Sequence, residues 1–499
     1  MMRTQPSRMR GLFDTVRELG KRETWTRADA EQREPLPVVR ELVFERGYPA
    51  DDTAARAYDA TDLERAVEAY RFFYPTVSGA TLFKGFTNVG LVPNKVFGTL
   101  DVHPRHVGFG ACSDTPCAPL LLDLKHGPMV VDVPPGPLMI AASDVNQRWV
   151  ADMGLNGPEE GHGAKHVFVP PGYDQKLPPG LYVWTSTSNR VFVCARSIPL
   201  GGDVPGAVER LRSIRVRPLE PPATFTKPTW LDLTPLPHDT TPLAWENGLQ
   251  YWRELHEVVD AEPPYDGYRT HYGELAALGI QKGRPFSPDA RLRPILERAA
   301  RSANARMRVQ SLSDRRADRI VWSDRRWEWV SLRFEDGDFD TLTSTDLEAR
   351  EKWFYQAVGA SPVMFRRTTR AAQVSWLGVR DENAGYLDGA KTYELTLPQP
   401  LPARLFWSVT VYDAETRSQL RTSQGKAVLR SLFELRNKLR GSSLSLYFGP
   451  AAPVGKEGQW IKTIPGKGWF AHLRIYGPQP SAFDGSWRPS DFRELQYGQ

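Results

Sequence analysis

The strongest constraint on this chain is that its apolar residues come in short runs, each cut off by glycine or proline. Leu120-Leu121-Leu122-Asp123-Leu124, Met129-Val130-Val131-Asp132-Val133, Leu138-Met139-Ile140-Ala141, His166-Val167-Phe168-Val169 and Val191-Phe192-Val193-Cys194 follow one another within 85–200. Runs of that length, broken that often, are strands that must fold back on their neighbours. The 42 prolines and 40 glycines fit, because tight turns need the backbone angles these residues supply. A sandwich or barrel is expected here, not a helical bundle.

A second β-rich stretch begins near residue 384. Within it, Phe406-Trp407-Ser408-Val409-Thr410-Val411-Tyr412-Asp413-Ala414-Glu415 alternates like a strand and breaks on an aspartate. Such a strand delivers hydroxyls and a carboxylate to the rim of a sheet. Asp484-Gly485-Ser486-Trp487-Arg488-Pro489 follows further on.

Helical patterns separate the β stretches. Over 50–75, Thr61 with Glu64 forms a capping-box pattern and Leu63, Ala66, Val67 and Tyr70 supply an apolar face. Pro75 is expected to end that helix. A single helix is expected over 203–217 and a proline-rich linker over 218–245. Further helices are expected over Trp245 to Val259, Ala290 to Val309 and 345–357.

The order helices, strands, helices, strands excludes a doubly wound parallel sheet. The expected fold is mainly β with helical segments (α+β): two antiparallel β-sandwich or jelly-roll-like domains joined by a helical insert. The boundaries are a flexible N-terminal arm over 1–40, helices plus a β-sandwich over 41–220, linker and helical insert over 221–380, and a jelly-roll-like domain over 381–499.

The 499 residues carry a formal charge of +5, from 64 basic and 59 acidic side chains. Spread over this length the balance implies neither nucleic acid nor an anionic membrane. The basic clusters, Arg366-Arg367 and the stretch Asp314 to Arg319, read as solvated faces. The three cysteines, Cys112, Cys117 and Cys194, contain no Cys-x-x-Cys pair and suit a reduced, cytoplasmic chain. The N-terminal stretch is basic without an apolar core, and no apolar stretch reaches about 18 residues, so neither a secretory signal nor a membrane span is expected.

Several segments carry a family resemblance. They are Gly47-Tyr48-Pro49 with the helix holding Ala66 to Tyr70, Leu122 to Pro128 with Asp132-Val133-Pro134-Pro135, and Val169-Pro170-Pro171-Gly172-Tyr173. The C-terminal set is the Phe406 and Asp484 segments with Asp388-Gly389, Gln459-Trp460 and Leu473-Arg474-Ile475-Tyr476. Together they resemble the tandem proteins built from the domain-of-unknown-function families 1254 and 1214. The resemblance implies two β domains packed with a helical insert, and no mechanism. One loop departs from the family pattern: Gly98 stands where an aspartate is usual and Asp101 where a tyrosine is.

Metal and cofactor chemistry finds little support. His162 and His166 are four apart and His103 and His106 three apart, but the glycines around the first pair argue for loop and strand, where that spacing brings no two imidazoles together. No Gly-x-Ser-x-Gly elbow, P-loop or dinucleotide fingerprint occurs. Cys194 lies in an apolar strand, and Cys112 is the more exposed thiol. No metal or cofactor is expected.

Acid–base groups at strand ends remain. Tyr412, Asp413 and Arg417 are the candidate catalytic set, as acid or base, its partner, and anion stabiliser. Asp144, Arg148, Trp149, Tyr173, Arg196, Trp407 and Trp460 are candidate substrate-binding residues around a tryptophan-lined cleft. The same residue types also close strands and cap turns in sandwiches. The expected function is a cofactor-independent hydrolase or lyase acting on a small polar molecule or carbohydrate between two β domains. The alternatives are a non-catalytic carbohydrate-binding or assembly protein and a tailoring enzyme of a biosynthetic pathway. The expected partner is the small molecule, with homo-oligomers possible and no nucleic acid or membrane.

Overall fold

The computed structural model describes residues 41–103, 113–236, 245–332 and 338–496. A short hairpin of β1 (Phe44–Glu45) and β2 (Tyr48–Pro49) leads into α1 (Thr53–Asn88). There follow β3 (Val96–Thr99), β4 (Cys117–Asp123), β5 (Met129–Val133), β6 (Leu138–Asp144), β7 (Trp149–Gly154), β8 (Ala164–Val169), β9 (Tyr182–Thr185) and β10 (Arg190–Ser197). Then come α2 (Val204–Arg212), β11 (Arg215–Pro218) and β12 (Thr229–Asp232).

Two four-stranded sheets form the N-terminal domain, in the orders β4-β10-β6-β7 and β11-β5-β8-β9. The first is antiparallel throughout. The expected runs lie in these strands, save Leu124 just past the end of β4, and the strands alternate about the core. Val191, Val193 and Ala195 of β10 turn to one side with Leu120 and Leu122 of β4 and Leu138 and Ile140 of β6. They meet Met129, Val131 and Val133 of β5 and Phe168 of β8 in one core. The opposite face of the first sheet is left for something else.

The middle of the chain supplies α3 (Leu249–Ala261), α4 (Arg269–Ala277), α5 (Leu292–Leu312), β13 (Glu328–Trp329), α6 (Leu347–Gln356) and α7 (Pro362–Phe365). The C-terminal strands are β14 (Gln373–Gly378), β15 (Tyr393–Pro398), β16 (Ala403–Asp413), β17 (Val428–Arg430), β18 (Ser443–Gly449), β19 (Trp460–Lys462), β20 (Trp469–Pro478) and β21 (Arg493–Glu494). They form a five-stranded antiparallel sheet, β13-β14-β20-β16-β17, and a four-stranded one, β19-β18-β15-β21. The two share a core in which Trp322, Trp327, Trp376, Trp407, Trp469 and Trp487 are packed. The chain is thus mixed α and β, with seven α-helices and mostly antiparallel sheets, none closed into a barrel, among the described residues.

Three expectations are corrected. The first helix does not stop at Pro75 but runs through it to Asn88. An interior proline costs about 3 kcal/mol. Tyr70, Phe73, Tyr74 and Val77 are all buried against α3, α5 and α6, and each such side chain returns about 1.5–3 kcal/mol. Thr61 and Glu64 therefore sit inside the helix, and Asp52 stands at its N-cap position. The helix expected over 203–217 ends at Arg212, because the chain turns into β11; its start is capped by Asp203, which accepts from the Gly206 N–H at 2.9 Å. The proline-rich linker is not all linker either. Thr229–Asp232 pairs in parallel with β3, beside Gly98, where a Cβ would fall 2.6 Å from Leu233 Cδ1. Glycine at 98 is what lets these segments approach.

The sheets of the two domains meet through their outward faces. Met139 and Ile198 of the N-terminal domain pack with Val363, Ala372, Phe406 and Tyr476.

Candidate functional site

The outward face of the first sheet carries large side chains around a centre of small ones. Outward positions are Cys117, Pro119 and Leu121 on β4, Phe192, Cys194 and Arg196 on β10, Met139, Ala141 and Ser143 on β6, and Asp152 on β7. Strand register aligns Pro119, Cys194, Ala141 and Asp152 in one row, and Cys117, Arg196, Met139 and Gly154 in the next. Ala141, Cys194 and Ser143 leave a hollow at the centre. Val358, Gly359, Ala360, Ser361, Val363 and Met364 line it too, with Leu82 and Phe86 of α1 and Gln373 and Gln419 of the C-terminal domain. A cavity of about 170 Å³ remains.

Asp152 is 5% exposed and lines this cavity. Its Oδ1 accepts from the Ser361 hydroxyl at 2.6 Å. Ser361 precedes the turn of helix opened by Pro362, and its side chain caps nothing there, so the hydroxyl is committed to the carboxylate. Burial pushes the Asp152 carboxyl up to about 7, against the hydrogen bond from Ser361, the charge of Arg366 and the nearby Trp149 indole. A carboxyl in that range exchanges a proton readily near neutrality.

Arg196 lines the other end and reaches across the domain boundary, donating to the Tyr476 hydroxyl at 3.5 Å. Tyr476 donates to Asp114 Oδ2 at 2.6 Å, and Thr410 donates to Asp114 Oδ1 at 3.4 Å. Behind them Arg474 donates to Thr410 at 3.1 Å, to the Tyr412 hydroxyl at 2.8 Å and to His472 Nδ1 at 2.9 Å. An arginine only donates, so Nδ1 is the acceptor and the His472 Nε2 hydrogen goes to Gln356 Oε1 at 3.2 Å. Burial, then the charge of Arg474, hold His472 well below the ordinary imidazole range. His472 is therefore expected to stay neutral at pH 6.5 in its NMR ring shifts, where an ordinary imidazole is half-protonated. The unfolded imidazole takes up a proton near 6.5 and the folded one does not, so this residue lowers stability as pH falls through about 6.5.

The structure scatters the residues singled out in the sequence. Tyr412 is buried on the outward face of β16, stacked on Phe470 with centroids 5.3 Å apart. Asp413, on the opposite face, accepts from the backbone N–H groups of Glu415 at 2.8 Å and Thr416 at 3.0 Å and pairs with Lys467 at 2.8 Å. Burial raises its pKa, but Lys467 and those two N–H groups outweigh it and hold the carboxyl below its usual range. Arg417 is buried in an ion pair with Glu246 and donates to Tyr355 at 3.0 Å and Tyr74 at 3.3 Å. These three side chains have separate partners and do not converge on one point.

Of the expected binding residues, only Arg196 lines the cavity. Trp407 is in the C-terminal core. Asp144 closes its turn by accepting from the Arg148 N–H at 2.9 Å and from Thr187; burial, its largest influence, pushes it up to about 6. Arg148 pairs with Asp338 at 2.7 Å. Trp149 packs edge-on to Trp184 with centroids 6.1 Å apart. Tyr173 rests on the Val130, Val167 and Val169 cluster, and Trp460 donates to the Gly449 carbonyl at 2.9 Å. No tryptophan lines the cavity among the described residues.

Among the described residues no group of three or more His, Cys, Asp or Glu side chains is placed to hold a metal ion. His166 is buried between Glu159 at 3.2 Å and the Trp184 indole N–H at 3.0 Å. His106 and Cys112 lie outside the described residues. Asp101, in the loop that departs from the family pattern, lines the cavity, and its Oδ1 accepts from the His103 N–H at 2.6 Å. No described helix is long and apolar enough to cross a membrane.

Comparison with known proteins finds two family models: DUF1254, a protein of unknown function, over residues 108–218, and DUF1214, also of unknown function, over 372–480. No curated protein matches. The crystal structure of the VPA0106 protein from Vibrio parahaemolyticus is similar, with a TM-score of 0.54, 15% identity, and 87% of this chain and 100% of that chain covered. At that identity it shows a shared fold alone. A putative uncharacterized protein from Burkholderia cenocepacia gives a TM-score of 0.35 at 9% identity over 89% of this chain and 97% of that chain.

Proposed function

This chain is a tandem protein of the DUF1254 and DUF1214 families, and we propose that it is an enzyme whose reaction takes place in the cavity where its two domains meet. The substrate is a small, largely apolar molecule, and Asp152 is the group that takes and returns a proton. The observation that carries this reading is the carboxyl itself, buried in an apolar hollow, oriented by Ser361 and pushed up to about 7. Perturbed carboxyls in enclosed sites are where acid–base chemistry is done.

The lining favours an apolar body over a sugar. Leu82, Phe86, Leu100, Met139, Phe192, Val358, Val363 and Met364 surround the hollow, and a buried sugar would leave hydroxyls without partners at about 1–3 kcal/mol each. A dry cavity of roughly 150 Å³ holds a benzene ring, so the 170 Å³ here fits one ring or a short branched chain.

Ala141→Leu tests the reading, because the added carbons enter empty space at the centre of the floor. The variant is expected to keep or raise its melting temperature by filling a void, and to bind ring-sized molecules at least about tenfold more weakly than the wild type by calorimetry, as overpacking excludes them. Equal binding by the two proteins would place the ligand elsewhere. Product analysis on the bound compounds separates turnover from binding alone.

A further inference from the structure

We propose that the molecule held in this cavity is a ring-sized carboxylate, that Arg196 binds its charge, and that Tyr476 of the other domain positions Arg196 for it. This inference rests on the cavity being the site. Arg196 is the one cationic side chain lining the cavity among the described residues. It stands two strands away from Asp152 and one row along. Strand spacing and rise put their Cα atoms about 12 Å apart. On β6, which separates their strands, Ala141 stands in the row of Asp152 and Met139 in the row of Arg196, so a single ring seats over Ala141, beside Met139. A molecule that spans this distance meets a cation at one end and the proton-transferring carboxyl at the other.

The guanidinium is suited to this. It offers five donors in a planar fork that matches a carboxylate with two parallel bonds. Tyr476 orients one arm of that fork through a long hydrogen bond of 3.5 Å. Its hydroxyl hydrogen is committed to Asp114 at 2.6 Å, so an oxygen lone pair is what faces Arg196. Asp114 is fully buried and held by Tyr476 and Thr410, with Arg474 at 3.9 Å, so its own charge is partnered within the interface. The other acid, Asp101, is half-buried and already accepts a backbone N–H. The anion-binding group of one domain is thus aimed by a tyrosine of the other, which gives the tandem arrangement a function: neither domain alone sets the selectivity.

Benzoate, benzyl alcohol and benzylamine are of similar size and differ in charge. Their binding to the full chain, by calorimetry, tests the proposal in the wild type, Arg196→Gln and Tyr476→Phe. The expected result is benzoate at least tenfold tighter than the other two in the wild type. That preference is lost in Arg196→Gln and reduced in Tyr476→Phe, while benzyl alcohol binds all three proteins alike. A purely structural tyrosine would weaken all three probes together, so that pattern overturns the positioning role. Benzyl alcohol or benzylamine binding as tightly as benzoate, or an unchanged benzoate preference in either variant, overturns the anion assignment and leaves the cavity reading intact. If none of the probes binds the wild type, the cavity reading falls and this inference falls with it. Should Arg196→Gln fail to fold, Tyr476→Phe alone decides.

Discussion

Asp152→Asn is expected to melt higher than the wild type at pH 8, with the gap closing as pH is lowered. Most substitutions of a buried, hydrogen-bonded residue destabilise, so the direction is diagnostic. The reason is linkage. In the folded protein this carboxyl loses its proton at about 7, whereas the ordinary value is 3.8. Between those values the folded state holds a proton that the unfolded chain has released, so stability falls as pH rises from about 4 to about 7 and is level above. A shift of about three units corresponds to roughly 4 kcal/mol at its upper bound. The amide carries no charge and escapes this cost, and its oxygen can still accept from Ser361. A gain of about 2–4 kcal/mol at pH 8, shrinking towards zero near pH 4, is the expected outcome of scanning calorimetry across that range. A uniform loss at all pH values would mean that the carboxylate is held as an ordinary structural acceptor. With a substrate in hand, the same variant should lose about 10²–10⁴-fold in rate.

Removing one partner of the Arg417–Glu246 pair is expected to cost about 3–5 kcal/mol, the usual penalty for stranding a buried charge. Both side chains are almost fully buried. Tyr74 donates to Glu246 Oε1 at 2.6 Å, the Tyr70 hydroxyl donates to the Glu246 carbonyl at 2.9 Å, and the guanidinium lies 4.2 Å from the centre of the Tyr355 ring. The pair joins the start of the α3 region to the loop after β16, with α1 and α6 around it. Glu246→Gln and Arg417→Met should each lower the melting temperature sharply. The double replacement Glu246→Leu with Arg417→Met should recover much of the loss, because apolar residues of similar size substitute well for buried pairs. Single losses below about 1 kcal/mol would show that the pair is not desolvated. A role for Arg417 in catalysis would instead show as lost activity at unchanged stability.

These two sites mark what the sequence discloses and what it hides. Strands such as β10 were legible because Val191-Phe192-Val193-Cys194 is a short apolar run of strand-forming residues, which is a local property. The path of α1 through Pro75 was not, because the packing that overrides the proline comes from α3, α5 and α6, far along the chain. Trp407 suggested a lined cleft and instead fills a core, while Trp460 is tied to the Gly449 carbonyl. The pairing of Tyr412 with Asp413 could have been rejected from sequence: neighbours on a strand point to opposite faces, and here one meets Arg474 while the other meets Lys467. Asp152 drew no attention because its partner, Ser361, is 209 residues away. The available signal was weaker: a carboxyl at an outward position of β7, level with the unusually small outward residues Ala141 and Cys194. Arg196 was visible as a charge at the end of an apolar strand. Its link to Tyr476, 280 residues on, was not.

The most direct measurement is a crystal structure of the full chain grown with the tightest ring-sized ligand from the binding series. Electron density for one molecule is expected over Ala141, beside Met139, with a polar atom within hydrogen-bond distance of the Asp152 carboxyl. A ligand bound elsewhere on the protein, with only water or side chains occupying this hollow, would contradict the proposed site.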